Sequence, residues 1–160
     1  MNQTYTSEKT SLKQIPALHK KASFPSGSRI LDYGCGAFDL GMNHLRQQGH
    51  DVQGIDPYNR SQDHNETVRQ DMMEIHPDFV ICSNVLNVIQ EDEIIISILQ
   101  DMKAFQPSTV YITVYEGNRT GNGKPTPKGY QRNMKIKDYS DLIGQVFQIE
   151  SIKNGIIKCH

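Results

Sequence analysis

Two glycines separated by one residue could form a ligand-binding loop in this chain. Gly34 and Gly36 directly follow a short apolar segment that ends with Asp32 and a tyrosine. Glycine adopts positive φ angles and lets a ligand lie against bare backbone. Open α/β sheets bind ligands beyond the carboxyl ends of their strands, and the first strand is a common place for this. We therefore place Gly34, Cys35 and Gly36 in a binding loop; the alternative is a simple tight turn.

The acidic residue before this loop indicates which ligand it accepts. The loop differs from the dinucleotide fingerprint GxGxxG, because Asp39 occupies the third glycine position and Asp32 immediately precedes the turn. A carboxylate at that position repels a pyrophosphate group. It attracts the ammonium group of the amino-acid portion of S-adenosylmethionine. Asp32 therefore favours S-adenosylmethionine over NAD as the cofactor.

A second carboxylate, Asp56, ends the next predicted strand, twenty residues after Gly36. An acid at this point of a nucleotide-binding sheet can accept hydrogen bonds from both ribose hydroxyls. We count Asp56 and the following Pro57 with the cofactor site. Taken alone, Asp56 could also be an acid in a surface loop.

The elements that position these residues alternate between strands and helices. Strands are predicted at 29–33, 51–56, 78–83 and 109–115, helices at 39–48, 91–105 and 138–145, and a hairpin at 147–152 and 156–159. Asn154-Gly155 is a strong signal for the turn of that hairpin. The pattern predicts an α/β fold with a mostly parallel sheet, helices on both faces and a C-terminal antiparallel hairpin.

Three segments are harder to interpret. Residues 1–8 are polar, and we expect them to be flexible. Residues 9–22 have helical spacing that Pro16 divides or kinks. For residues 57–77 we predict a loop and then an irregular helix at 66–74, with an eroded strand ending at Asp71 as the alternative.

In motif order over residues 28–116, the chain resembles the class I S-adenosylmethionine-dependent methyltransferases. The resemblance rests on three segments: LDYGCGAFDLG, GIDPYN and DFVICSNVLNVI. DPYNRS, SNVLNVI and VYEG also resemble small methyltransferase-like proteins of bacteria and phages. The resemblance implies a Rossmann-like sheet. It also implies that Asp32, Gly34 and Gly36 line the methionine end of the cofactor and that Asp56 holds the ribose.

The residues after the central strand are the candidates for catalysis, because the family places residues beside the transferred methyl group there. Enzymes that methylate amino groups of nucleic acids carry an Asp/Asn-Pro-Pro-aromatic motif, whereas this chain has Asn84-Val85-Leu86. That departure disfavours methylation of a base amino group. The amides of Asn84 and Asn87 could orient an acceptor, and we also count Asn84 with the cofactor site. Asn84 could instead cap the following turn. Glu116 is the acidic candidate for a general base or a substrate contact.

The segment 117–137 has six basic residues and no acidic one, and we predict a long loop on the substrate side that closes over the acceptor. Tyr130 and Arg132 are the expected contacts with an anionic acceptor, through stacking and a planar cation. The alternative is a solvated loop that balances the acidic residues 91–93.

Composition limits the remaining possibilities. The chain has 160 residues, which fits one domain, and a formal net charge of -1, which favours no partner class. Its three cysteines lack the spacing of a zinc site, so we expect reduced thiols, no metal and a cytoplasmic location without membrane contact. The expected function is methyl transfer to an N or O atom of a small-molecule or nucleic-acid acceptor. The alternative is a protein that binds S-adenosylmethionine without transferring the methyl group: a regulatory or sequestering protein, a partner subunit, or an enzyme with other chemistry on the cofactor.

Overall fold

The computed structural model describes residues 12–160. In chain order the strands are β1 (Arg29–Tyr33), β2 (Asp51–Ile55), β3 (Phe79–Ser83), β4 (Thr109–Thr113), β5 (Lys124–Thr126), β6 (Gly129–Gln131), β7 (Ile149–Lys153) and β8 (Ile156–Cys159). The α-helices are α1 (Ala17–Lys21), α2 (Leu40–Gln47), α3 (Gln62–Glu74), α4 (Asp92–Ala104) and α5 (Ser140–Ile143). Short 3-10 helices lie at Leu86–Val88 and Ile136–Tyr139.

Six of the strands form one sheet in the order β2-β1-β3-β4-β8-β7. The first four run parallel, and β8 and β7 form the antiparallel edge. The chain moves from β1 outward to β2 and then crosses to β3 on the other side of β1. Such a reversal of strand order opens a crevice at the carboxyl ends of the strands. The expected α/β fold, with its mostly parallel Rossmann-like sheet and C-terminal hairpin, is confirmed.

Both faces of the sheet are covered, so successive residues of its central strands point into two different cores. In β3, Val80 packs with Met72 of α3 and Leu99 of α4 on one face. Ile81 packs with Leu45 of α2 on the other face. This alternation follows from the period of two along a strand. The alternation buries β1 and β3 on both faces, and the loops at their carboxyl ends form the site.

Helix α3 differs from the expectation for residues 57–77. It begins at Gln62, earlier than the predicted start at residue 66, because the Ser61 hydroxyl accepts a hydrogen bond from the backbone N–H of His64 at 3.1 Å and caps the helix. The alternative of an eroded strand is wrong, since Asp71 lies inside α3. One helix therefore connects β2 directly to β3.

The segment 117–137 is also more ordered than expected. It contains the antiparallel pair β5–β6 and leads into the 3-10 helix at Ile136–Tyr139. The prediction of an irregular loop missed this pair, because prolines and glycines obscured its short strands. At the other end of the chain, Pro16 directly precedes α1. The flexibility expected of residues 1–8 and the helical spacing expected from residue 9 to residue 11 concern positions outside the described residues.

The C-terminal hairpin is as expected. Asn154 and Gly155 both have positive φ, at 54° and 73°, and they connect β7 to β8. A two-residue turn with this backbone twist matches the twist of the flanking strands.

Candidate functional site

A cavity of about 550 Å³ lies at the carboxyl ends of β1, β2 and β3. This is the crevice that the strand order opens. Its lining includes every residue that the sequence assigned to the cofactor: Asp32, Gly34, Cys35, Gly36, Asp56, Pro57 and Asn84.

The glycine loop packs closely on β2. The backbone N–H groups of Gly34 and Cys35 both donate to the carbonyl of Ile55, at 2.8 and 3.1 Å. Gly34 and Gly36 have φ angles of 79° and 74°, which side chains rarely adopt. A Cβ atom at Gly34 would lie 2.4 Å from Cγ2 of Val85. The loop therefore requires glycine both for its conformation and for its close packing.

Asp56 organises the loops on both sides of the cavity. One carboxylate oxygen accepts the N–H of Gly36 at 2.9 Å, and the other accepts the N–H groups of Tyr58 and Asn59, both at 3.0 Å. The Asn59 amide donates to that second oxygen at 3.1 Å. Each carboxylate oxygen has about two acceptor sites, so the three donors crowd one oxygen, whereas Oδ2 accepts a single bond, from Gly36. A contact between Oδ2 of Asp56 and a ribose hydroxyl stays a prediction.

Asp32 is bonded to a histidine that the sequence analysis missed. Nε2 of His19, on α1, lies 2.7 Å from Oδ2 of Asp32, and the two residues are only 2% and 3% exposed. The imidazole ring of His19 fits at this position because Gly41 has no side chain. A Cβ atom at Gly41 would lie 2.8 Å from Cδ2 of His19. The one signal in the sequence was a polar residue on the inner face of a short helix.

A second polar group lies farther along the cavity wall. Arg69 donates two hydrogen bonds to Asp101, at 3.0 and 2.6 Å, and the hydroxyl of Tyr33 donates to the same carboxylate at 2.5 Å. Burial raises the pKa of Asp101, but the hydrogen bonds from Arg69 and Tyr33 outweigh it and hold that pKa below its usual value. The Arg69 guanidinium also lies 5.4 Å from the centre of the Phe105 ring. Arg69 and Tyr33 therefore reach the cavity in fixed orientations.

All three cysteines are held as neutral thiols. Burial, followed by the nearby Asp32 carboxylate, raises the pKa of Cys35 to about 12. Burial likewise raises the pKa of Cys159 to about 12, and that of Cys82 well above its usual value. A nucleophilic cysteine needs a thiolate. Cys35 therefore contributes to the site as a small apolar side chain.

The thiols of the native protein are expected to react very slowly with Ellman's reagent at pH 8. A thiol with a pKa of about 12 has roughly one molecule in ten thousand ionised at that pH, whereas an unperturbed cysteine is about a quarter ionised. Denaturant should release all three thiols. The variant Cys35→Ala identifies any faster component, and rapid labelling of Cys35 in the native protein would contradict its assignment as a neutral thiol.

A second cavity, of about 290 Å³, adjoins the first. The two share Ala17, Ser83 and Asn84 in their linings. The Ser83 hydroxyl is buried and makes no hydrogen bond with the described residues. The junction between the cavities thus lies where β3 ends, and its polar groups come from Ser83 and Asn84.

Asn84 has a backbone suited to this junction. Its φ is 58°, and its N–H donates to the carbonyl of Thr113 at 2.9 Å, which ties it to β4. Asparagine tolerates this conformation better than most residues do. The capping alternative is wrong, because Val85 precedes the 3-10 helix and no side chain caps it.

The two other candidates for catalysis are placed differently. Asn87 is 2% exposed and lines neither cavity, and its carbonyl accepts the N–H of Arg132 at 2.9 Å. Its expected role beside the methyl group conflicts with that position. Glu116 lines the second cavity, but its carboxylate accepts the N–H of Ile136 at 2.7 Å and pairs with Arg119 at 3.0 Å.

The guanidinium of Arg132 is occupied within the protein. It donates to the carbonyls of Ile89 and Gln90, both at 3.0 Å, and to Asp92 at 2.6 Å. The anion contact expected of Arg132 conflicts with these bonds, which fasten the segment 117–137 to the start of α4. Tyr130 lies in β6 and lines neither cavity. Its role in acceptor binding stays a prediction.

Residues 12–160 contain no group of three or more His, Cys, Asp or Glu side chains placed to hold a metal ion. Among the helices of this described part, none is long and apolar enough to cross a membrane.

Comparison with known proteins gives a family and a fold. A family profile described as a methyltransferase domain matches residues 8–154. The chain is similar in structure to the 1,6-didemethyltoxoflavin-N1-methyltransferase of Burkholderia thailandensis, solved with 1,6-didemethyltoxoflavin and S-adenosylhomocysteine bound. The TM-score is 0.59 and the identity 14%, over 84% of this chain and 71% of that one.

A second similar structure, from Rhodobacter sphaeroides, is described as a Zn-dependent alcohol dehydrogenase. Its TM-score is 0.58 and its identity 12%, over 96% of this chain and 92% of that one. At these identities both likenesses show a shared fold. No curated protein sequence was found to match the chain.

Proposed function

Because the chain belongs to the methyltransferase domain family, we propose that it transfers the methyl group of S-adenosylmethionine to a nitrogen or oxygen atom of a small acceptor. The observation that carries this proposal is the pair of adjoining cavities, of about 550 and 290 Å³, that share Ser83 and Asn84. The larger cavity has the size of a nucleoside-binding site. The smaller one suits a single ring or a short side group.

The larger cavity fits S-adenosylmethionine, which is the cofactor, in charge and in shape. The Asp32 carboxylate at one end would hold the ammonium group of the methionine portion. Val88, Ile89 and Ile98 line the cavity as well and give an apolar wall for a flat adenine ring. The cofactor supplies an activated methyl group on a sulfonium, and the chain has to orient the acceptor and exclude water.

Methyl transfer is an in-line displacement, so alignment of the two reactants contributes most of the rate enhancement. The junction groups, Ser83 and Asn84, can hold an acceptor by hydrogen bonds but do not act as bases at neutral pH. Glu116 is the single carboxylate among the described residues that line the smaller cavity, and both of its oxygens are bonded. This favours an acceptor nitrogen with a free lone pair over a hydroxyl that must first lose a proton.

Labelled cofactor and a cell extract fractionated by size test the transfer directly. We expect the small-molecule fraction to take up methyl label when wild-type protein is present. Tyr115 lines the smaller cavity and is 63% exposed, so Tyr115→Ala should leave the fold and cofactor affinity intact and reduce labelling about tenfold. The control is Ile152→Ala, another exposed apolar residue, which lines neither cavity.

The alternative function is cofactor binding without transfer, as in a regulatory or sequestering protein or a partner subunit. It predicts firm cofactor binding and no labelled acceptor in any fraction. Labelling confined to nucleic acid or protein fractions would instead contradict the small acceptor while preserving methyl transfer.

A further inference from the structure

The hydrogen bond between His19 and Asp32 joins two elements that are far apart in the chain. His19 lies in α1, and Asp32 lies near the end of β1. Both side chains are almost fully buried, and both residues line the larger cavity. Ala17, two residues before His19, lines both cavities. Helix α1 therefore covers the junction, and this bond fastens it to the cofactor site.

The chemistry of the pair leaves Asp32 able to bind a cation. A neutral imidazole carries one N–H, and in the tautomer with that proton on Nε2 it donates to Oδ2 of Asp32. Among the described residues, no hydrogen bond reaches the other oxygen, Oδ1. A carboxylate held at one oxygen by a buried donor has a fixed orientation, which leaves the second oxygen as an aligned acceptor.

We propose that His19 is a positioning residue, which orients the Asp32 carboxylate so that its second oxygen receives the amino group of the cofactor. This rests on the proposed function and adds a residue to it. The pair makes cofactor affinity depend on the packing of α1. The small space at Gly41 belongs to the same arrangement, because any side chain there would displace the His19 ring.

Calorimetric titration with two ligands separates this role from simple packing. S-adenosylhomocysteine carries the amino-acid portion that Asp32 would bind, and adenosine lacks it. His19→Leu, which removes the donor, should weaken S-adenosylhomocysteine about tenfold and leave adenosine unchanged. His19→Gln keeps an N–H donor and should restore most of the affinity. Gly41→Ala, which presses on the ring without removing it, should also weaken the binding of S-adenosylhomocysteine and leave that of adenosine unchanged.

A double-mutant cycle with Asp32→Asn completes the test. If His19 acts through Asp32, His19→Leu has no further effect on S-adenosylhomocysteine affinity in the Asp32→Asn background. Independent, multiplying effects, or an equal loss of adenosine affinity, would show that His19 only packs α1 and would overturn the proposal. If Asp32→Asn loses S-adenosylhomocysteine affinity and His19→Leu does not, only the positioning role of His19 is overturned. A wild-type protein that binds no S-adenosylhomocysteine overturns the proposed function as well.

Discussion

Gly34→Ala is expected to abolish measurable S-adenosylhomocysteine binding, whereas Gly27→Ala should leave it nearly unchanged. The two glycines have similar φ angles, 79° and 72°, so both variants carry a backbone strain of about 1–2 kcal/mol. A Cβ at Gly27 meets nothing within 4 Å, whereas a Cβ at Gly34 would clash with Val85. To relieve that clash, the glycine loop or the segment after β3 must shift, and both of these segments line the larger cavity.

Thermal unfolding followed by titration with S-adenosylhomocysteine checks this pair. We expect Gly34→Ala to lose more stability than Gly27→Ala, because it adds the clash to the shared backbone strain, and to be the only one of the two to lose affinity, by at least about thirtyfold. Equal affinity in the two variants would mean that the glycine loop does not border the ligand.

Asp56→Ala is expected to cause the largest loss of stability among single changes at the site. The carboxylate accepts three backbone N–H groups and one amide, and alanine would leave these donors without their acceptor. A buried donor left unsatisfied costs about 1–3 kcal/mol, and water can reach part of this turn, so we expect a loss on the order of 3 kcal/mol. Cofactor affinity should fall too, because Gly36 loses its anchor.

Urea unfolding monitored by circular dichroism measures this effect. Asp63→Ala is the control, since Asp63 is an exposed acid in the first turn of α3. The free energy of unfolding of Asp63→Ala should lie within about 0.5 kcal/mol of the wild-type value. If Asp56→Ala unfolds at the wild-type urea concentration, the hydrogen bonds of Asp56 contribute nothing, and its place at the site reflects ligand binding alone.

Local patterns in the chain are sufficient to predict the cofactor loop. The segment from Asp32 to Gly36 combines an apolar strand, two glycines and an acid, and each feature depends only on neighbouring residues. The position of Asp56 follows from the next strand and the parallel pairing of the two. The cavity lining agrees with these local inferences.

The contacts between distant residues could not be predicted in this way. Tyr33, Arg69 and Asp101 come from a strand and two helices, and only the packed fold brings them together. The expectation for Arg132 failed for the same reason. Its charge and its place in a basic segment suggested an anion contact, but its partners, Asp92 and two carbonyls, lie about forty residues away in the chain. Charge patterns identify a cation without identifying what neutralises it.

Titration of the wild-type protein with S-adenosylhomocysteine and, separately, with NAD tests the central claim most directly. The larger cavity, with Asp32 at one end, is expected to bind one S-adenosylhomocysteine per chain and to give no heat with NAD. Binding of NAD in place of S-adenosylhomocysteine would contradict the assignment of this cavity to a methyl-donor cofactor.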